Sequence, residues 1–112
     1  MKLLIVGSRG ITDLDLSLYV PKDTELIISG GAAGVDTLAE EYADKHRISK
    51  LILRPHYELY GKAAPIKRNA QMVEICDKVI VFWDGKSKGT KHTIDYAKKT
   101  GKCIDVFVID CV

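Results

Sequence analysis

Three stretches of this 112-residue sequence carry residue types suited to holding an anion: GSRG at 7–10, SGGAAGVD at 29–36 and DGKSKGT at 84–90. Glycines let a backbone approach a ligand closely, and successive N–H groups at the start of a helix bind phosphate. The candidate ligand-binding residues are Gly7, Ser8 and Arg9 in the first stretch. The second contributes Ser29, Gly30, Gly31, Ala32, Gly34 and Asp36, and the third Asp84, Gly85, Ser87, Gly89 and Thr90. The amides of 30–34 and of 87–90 are expected to hold phosphate, with Arg9 and Arg68 neutralising it. Arg54, Lys62, Lys67, Lys86, Lys88 and Lys91 fall in the same loops or in first helical turns, where the helix dipole disfavours cations unless an anion is bound.

The second stretch is close to a dinucleotide fingerprint without matching it. The first glycine of G-x-G-x-x-G is replaced by Ser29, and the next strand ends on Arg54 where an NAD site needs an acidic residue. Asp36 either meets a ribose hydroxyl or satisfies backbone donors around its own helix start. Asn69, beside Arg68, can donate and accept toward a sugar or base. Tyr57, Tyr60 and Trp83 stand in or beside these loops with rings able to stack on a base, and Trp83 is equally placed to cover the sheet edge.

The elements that must position these loops are short. Continuous apolar runs at 3–6, 26–29, 51–53, 79–83 and 103–109 predict five strands covered on both faces. Helical periodicity separates them. Val35, Leu38, Ala39, Tyr42 and Ala43 make one stripe, with Glu41 set to pair with Lys45 on the outer face. Pro65 suits a first helical turn, followed by an apolar stripe of Ile66, Ala70 and Val73. A last helix over 90–100 has Thr93, Ile94 and Ala97 inward, Lys98 and Lys99 at its negative end, and Gly101 as its stop. A short crossover helix is expected near 13–19, and 55–64 reads as an irregular loop.

Alternating strands and helices predict an α/β fold: a five-stranded, mostly parallel sheet between helical layers, a three-layer αβα sandwich in the order 3-2-1-4-5. The order reverses between strands one and four, and ligands bind beyond the carboxyl ends of strands at such a point. All three glycine-rich stretches fall at that end. One domain is expected at this length.

The net charge of +2 gives no argument for long nucleic acid or membrane binding, and no apolar run approaches membrane-spanning length. MKLLIV is too short for a signal peptide and reads as a buried strand. Cys76, Cys103 and Cys111 are odd in number with no C-x-x-C spacing, which fits a cytoplasmic protein with cysteines as small hydrophobes or tail residues. His46, His56 and His92 are scattered, so no metal site is expected.

The motifs GSRG, SGGAAGVDTLAEEYA, KRNAQM and VIVFWDGKSKGTKHTIDYA, in that order over almost the whole chain, resemble the YspA-like branch of the SLOG superfamily. The resemblance implies a Rossmann-like domain that binds a nucleotide or nucleotide-derived ligand, with homodimerisation by analogy. Two related groups supply alternatives. In the LOG phosphoribohydrolases a glycine-threonine loop precedes a catalytic glutamate, and an arginine on the preceding helix assists. Arg68, Gly89 and Thr90 match that pattern, but His92 stands where the glutamate is expected, which leaves Arg68 and Asp95 as the catalytic candidates. DprA, which binds single-stranded DNA, shares an SGGAxGVD-like turn and an RN before strand four. No cofactor other than the nucleotide-type ligand is implied.

Overall fold

The computed structural model describes residues 1–109. Five strands form one parallel sheet in the order β3-β2-β1-β4-β5. They are β1 (Lys2–Gly7), β2 (Leu26–Ser29), β3 (Ser49–Ile52), β4 (Lys78–Trp83) and β5 (Cys103–Val108). The helices are α1 (Val35–Lys45), α2 (Tyr57–Tyr60), α3 (Ala64–Ile75) and α4 (Lys88–Lys99). The expected three-layer α/β fold and strand order are therefore found, and the sheet is wholly parallel.

The continuous apolar runs of β1, β2 and β4 work because each of these strands feeds two cores, whereas β3, expected to be covered on both faces, is largely exposed. Leu3, Ile5, Ile27, Ile80 and Phe82 pack under α1 with Val35, Ala39 and Ala43. Leu4, Val6, Ile28, Val79 and Val81 pack on the other face against Met72, Val73, Ile94 and Ala97 of α3 and α4. Successive side chains point to opposite faces of a strand, so an unbroken apolar run is required when both faces are covered.

Several boundaries differ from expectation, each for a local reason. β3 begins at Ser49 and not at 51, because it is an edge strand whose first three residues are exposed and need no apolar signal. α4 begins at Lys88, not 90, since Ser87 holds the extended conformation of an N-cap. The crossover near 13–19 holds only a 3-10 turn at Leu16–Leu18. The expected loop 55–64 contains α2 and a second 3-10 turn, Gly61–Ala63. In α3 the buried positions are Ala64, Met72 and Val73, with Ile66 left 48% exposed. Asp44, not Glu41, carries the ion pair of α1, reaching Lys50 at 2.9 Å. Cys76 is buried and Cys103 exposed, while Cys111 lies outside the described residues.

Helices α1 and α4 end in the same carbonyl-capping motif, which α3 lacks. After α4, Gly101 (φ +75°) donates to Lys98 O and Lys102 donates to Ala97 O. After α1, Arg47 donates to Asp44 O and Ile48 to Ala43 O, but the left-handed residue is Arg47 itself (φ 55°). No helix among the described residues is long and apolar enough to cross a membrane.

Candidate functional site

A cavity of about 410 Å³ opens beyond the carboxyl ends of β1 and β4, where the strand order reverses. Its walls come from the three glycine-rich loops and from the start of α3. That volume falls in the range of roughly 300–1,000 Å³ usual for small-molecule sites.

The floor is stitched together by one serine. Ser8, buried at the end of β1, donates its amide to Phe82 O at 3.0 Å, and its hydroxyl accepts from the Asp84 amide at 3.0 Å. The Ser87 hydroxyl lies 3.0 Å from that of Ser8 and 3.1 Å from both Asp84 oxygens. The Asp84 amide donates to the Ser8 hydroxyl, the Ser8 and Ser87 hydroxyls bond one another, and the Ser87 hydroxyl reaches the Asp84 carboxylate, and such connected chains strengthen one another. Asp84 Oδ1 also accepts from the amides of Lys86 and Ser87, both at 2.8 Å, as an aspartate does in a tight turn. These donors hold the Asp84 carboxyl down at about 2, the Lys86 and Ser87 amides contributing most.

This circuit changes the expected phosphate site. The Ser87 amide is spent on Asp84, and its hydroxyl is turned away from the helix it precedes. The first turn of α4 therefore has neither a side-chain cap nor an acidic residue, and Gly89 and Thr90 from that turn line the cavity. Helix-start amides without such partners carry partial positive charge toward whatever occupies that space.

The second loop departs further from expectation. The Gly31 amide donates to the Ser29 hydroxyl at 3.3 Å, and the Ala32 amide to Asp36 Oδ2 at 3.1 Å. Those two amides are thus occupied internally. Ser29 is wholly buried behind the loop, its hydroxyl also reaching Asp36 O and Glu40 Oε2. Ala32 and Asp36 line the cavity, whereas Ser29, Gly30, Gly31 and Gly34 do not. Gly34 has a different task. It takes φ +76°, and a Cβ there would collide with the Arg9 and Ser8 carbonyls, so it lets the first two loops touch. Gly7 likewise makes room for Val35 at the start of α1. Gly85 serves its own turn at φ +80° and stands outside the cavity lining.

Arg68 and Asp36 converge over Gly30. A Cβ on that glycine would come within 2.7 Å of Arg68 Nη1 and 2.9 Å of Asp36 Oδ2. Arg68 donates to Gly30 O at 2.6 Å and Leu53 O at 3.2 Å, and its Nε to Asn69 Oδ1 at 2.9 Å. It thus ties the ends of β2 and β3 to α3 while lining the cavity. Burial lowers its affinity for its proton, opposed by the Asp36 charge. Burial pushes the Asp36 carboxyl up, against the Ala32 amide and the Arg68 charge. Its carboxylate can accept a hydrogen bond from a bound hydroxyl.

Of the expected cations only Arg9 and Arg68 line the cavity. Arg54 reaches Gly31 O at 3.2 Å, Lys67 sits over the Tyr60 ring, and Lys91 pairs with Asp95 at 3.2 Å. Asp95 is exposed and is not among the residues that line the cavity. Trp83 lies outside the cavity lining: its ring N–H donates to Ser87 O at 3.1 Å and its partly buried side chain packs on the core. Val6, Gly10, Pro65, Met72 and Thr93 also line the cavity, though the sequence marked none of them as a ligand-binding residue. Gly10 was readable within GSRG, and Thr93 as the residue one turn below Thr90; Pro65 and Met72 gave only helix signals.

Among nine glycines, Gly10 and Gly89 are distinctive. Neither has positive φ, and a Cβ on either would meet nothing within 4 Å. The protein's own packing does not require glycine at these two positions, and both line the cavity. Comparison with family models, curated proteins and solved structures gives no match.

Proposed function

We propose that this cavity binds a phosphate-bearing nucleotide or nucleotide-derived ligand, and that the chain is a SLOG-type nucleotide-binding domain. The observation that carries the reading is the start of α4. Its first turn lacks a cap because Ser87 is committed to Asp84 and Ser8, and Gly89 leaves open the space a ligand phosphate needs. Arg9 supplies an exposed guanidinium to the same cavity, and Arg68 a half-buried one. Asp36 and the amide nitrogen of Asn69 offer an acceptor and a donor for sugar or base.

Two rival readings gain less support. Phosphoribohydrolysis needs a carboxylate free to act on water or on an oxocarbenium-like charge; Asp95 stands outside the cavity lining, and the two carboxylates that line it, Asp36 and Asp84, already accept from Ala32 and from Lys86 and Ser87. Binding of long single-stranded DNA needs a basic track, whereas Arg9 and Arg68 are the cations that line this site.

Thermal-shift and calorimetric titration with AMP, ADP-ribose, NAD and cyclic nucleotides tests the reading. Stabilisation by at least one of them, weakened in Arg9→Ala, is expected. No shift with any phosphate ligand overturns it.

A further inference from the structure

Residues 8–11 make a tight turn at the end of β1. The Ile11 amide donates to Ser8 O at 3.3 Å, and the Val35 amide reaches the same carbonyl at 3.5 Å. Arg9 and Gly10, at the centre of the turn, keep amides that donate to no acceptor among the described residues, and both line the cavity. Arg9 adds its exposed guanidinium, which pairs with no described residue.

A second set of free donors lines the same space from the β4 side. The Gly89 and Thr90 amides precede the Lys91 amide, which reaches Ser87 O at 3.2 Å, and no side chain caps them. The Thr90 hydroxyl points to a ligand independently of the helix start. Thr90 is only 8% exposed and lines the cavity, yet its hydroxyl bonds no group among the described residues. Among those residues the Thr24 hydroxyl is the one unpaired side-chain polar atom that is fully sealed, so the Thr90 hydroxyl is open, and it opens on the cavity. A hydroxyl this deeply placed normally has a partner, and the protein supplies none.

The two donor sets rise from neighbouring strands. β1 and β4 pair through Gly7 and Phe82, about 4.8 Å apart, a spacing that two phosphates joined by one bridging oxygen can span. Each set also holds a glycine whose Cβ would meet nothing, Gly10 in one and Gly89 in the other. A single phosphate at α4 accounts for the space at Gly89 and leaves that at Gly10 unused. The Asp84 carboxylate lines the same cavity, but its oxygens already accept from Lys86 and Ser87.

Building on the proposed nucleotide site, we propose that the turn at Arg9 and Gly10 is a second phosphate subsite, so that the ligand carries two adjacent phosphates. Gly89, Thr90 and the start of α4 hold one. The Arg9 and Gly10 amides and the Arg9 guanidinium hold the other. Nucleoside diphosphates and nucleotides with an internal pyrophosphate share this chemistry.

Calorimetry with AMP, ADP and ADP-ribose in magnesium-free buffer tests this in the wild type, Gly10→Ala, Arg9→Ala and Gly89→Ala. ADP or ADP-ribose is expected to bind about tenfold or more tighter than AMP, the scale of added charge-assisted hydrogen bonds. Tighter binding of ADP identifies a terminal diphosphate, and tighter binding of ADP-ribose an internal one. Gly10→Ala alters no charge and should keep the melting temperature, yet it should bring the ratio to AMP near one by filling the subsite. Arg9→Ala should lower the same ratio, whereas Gly89→Ala should weaken all three ligands. Equal binding of all three by the wild type, or an undiminished ratio in Gly10→Ala, overturns the second subsite alone. Failure of all three to bind overturns the nucleotide site and the subsite together.

Discussion

The hydroxyls of Ser8 and Ser87 meet at 3.0 Å although the residues are 79 positions apart, and Asp84 completes the circuit between them. This contact joins the ends of β1 and β4, the two strands between which the strand order reverses. Ser8→Ala and Ser87→Ala should each lower stability by about 1 kcal/mol, a typical net hydrogen-bond contribution. Because the two share one circuit, the double variant should lose less than the sum of the singles. Urea unfolding of the four proteins measures this, and strict additivity would count against a shared circuit.

Asp84 makes the same circuit sensitive to acid. Its carboxyl is held at about 2 against an ordinary 3.8. A carboxyl depressed on folding stabilises fully above its unfolded value, and that contribution is lost as pH falls through the folded one. The relevant window is therefore from about pH 4 down to about pH 2. Asp84→Asn should be less stable than wild type at neutral pH and should show a shallower loss across that window. Denaturant midpoints at several pH values separate this from the parallel effects of Asp15 and Asp77, which are also depressed.

Gly34 and Gly89 look alike in the sequence and should respond oppositely to alanine. At Gly34 a methyl group strikes the Arg9 and Ser8 carbonyls at φ +76°, so Gly34→Ala should destabilise by more than about 2 kcal/mol. At Gly89 a methyl group meets nothing in the empty protein. Gly89→Ala should leave stability unchanged or raise it by up to about 0.5 kcal/mol through helix propensity. It should at the same time weaken phosphate ligands by filling their space. Melting temperature and ligand titration, read together, check the pair.

Arg47 holds a left-handed conformation (φ 55°) at the end of α1, where Gly101 serves the same purpose after α4. That conformation costs a non-glycine residue roughly 1–2 kcal/mol, partly returned by the smaller entropy loss of a side-chain-bearing backbone. Arg47→Gly should stabilise the protein by about 0.5–1 kcal/mol. A rise of a few degrees in melting temperature is the expected sign, and a fall would mean that the Arg47 side chain contributes contacts beyond its backbone.

These cases show what was legible in the chain and what was not. The doubly covered centre of the sheet was legible in apolar runs such as Leu3 to Val6, because only a strand covered on both faces needs four consecutive apolar residues. The stop at Gly101 was legible because glycine advertises a left-handed turn; Arg47 does the same work with no such signal. The convergence of three loops followed from topology. Which amides remain available did not, because it depends on Asp36 folding back on Ala32 and Asp84 on Ser87. Aspartates close to glycine turns often take such local bonds, so that signal was present in both motifs.

Arg68 and Arg9 both line the cavity, but only Arg68 is built into the fold. Its guanidinium joins Gly30 O, Leu53 O and Asn69, so Arg68→Ala leaves two strand-end carbonyls without that donor. A loss of roughly 1.5–3 kcal/mol is expected, as for hydrogen bonds to charged groups. Arg68→Lys should recover only part of it, since a single ammonium cannot reproduce the planar fork. Arg9 is exposed, so Arg9→Ala should leave the unfolding curve in place. It should weaken anionic ligands, the more so at low salt, where screening is least. Unfolding and ligand titration at two ionic strengths therefore separate the roles. If Arg9→Ala binds phosphate ligands as the wild type does, Arg9 takes no part in neutralising them and the anion rests on α4 and Arg68 alone.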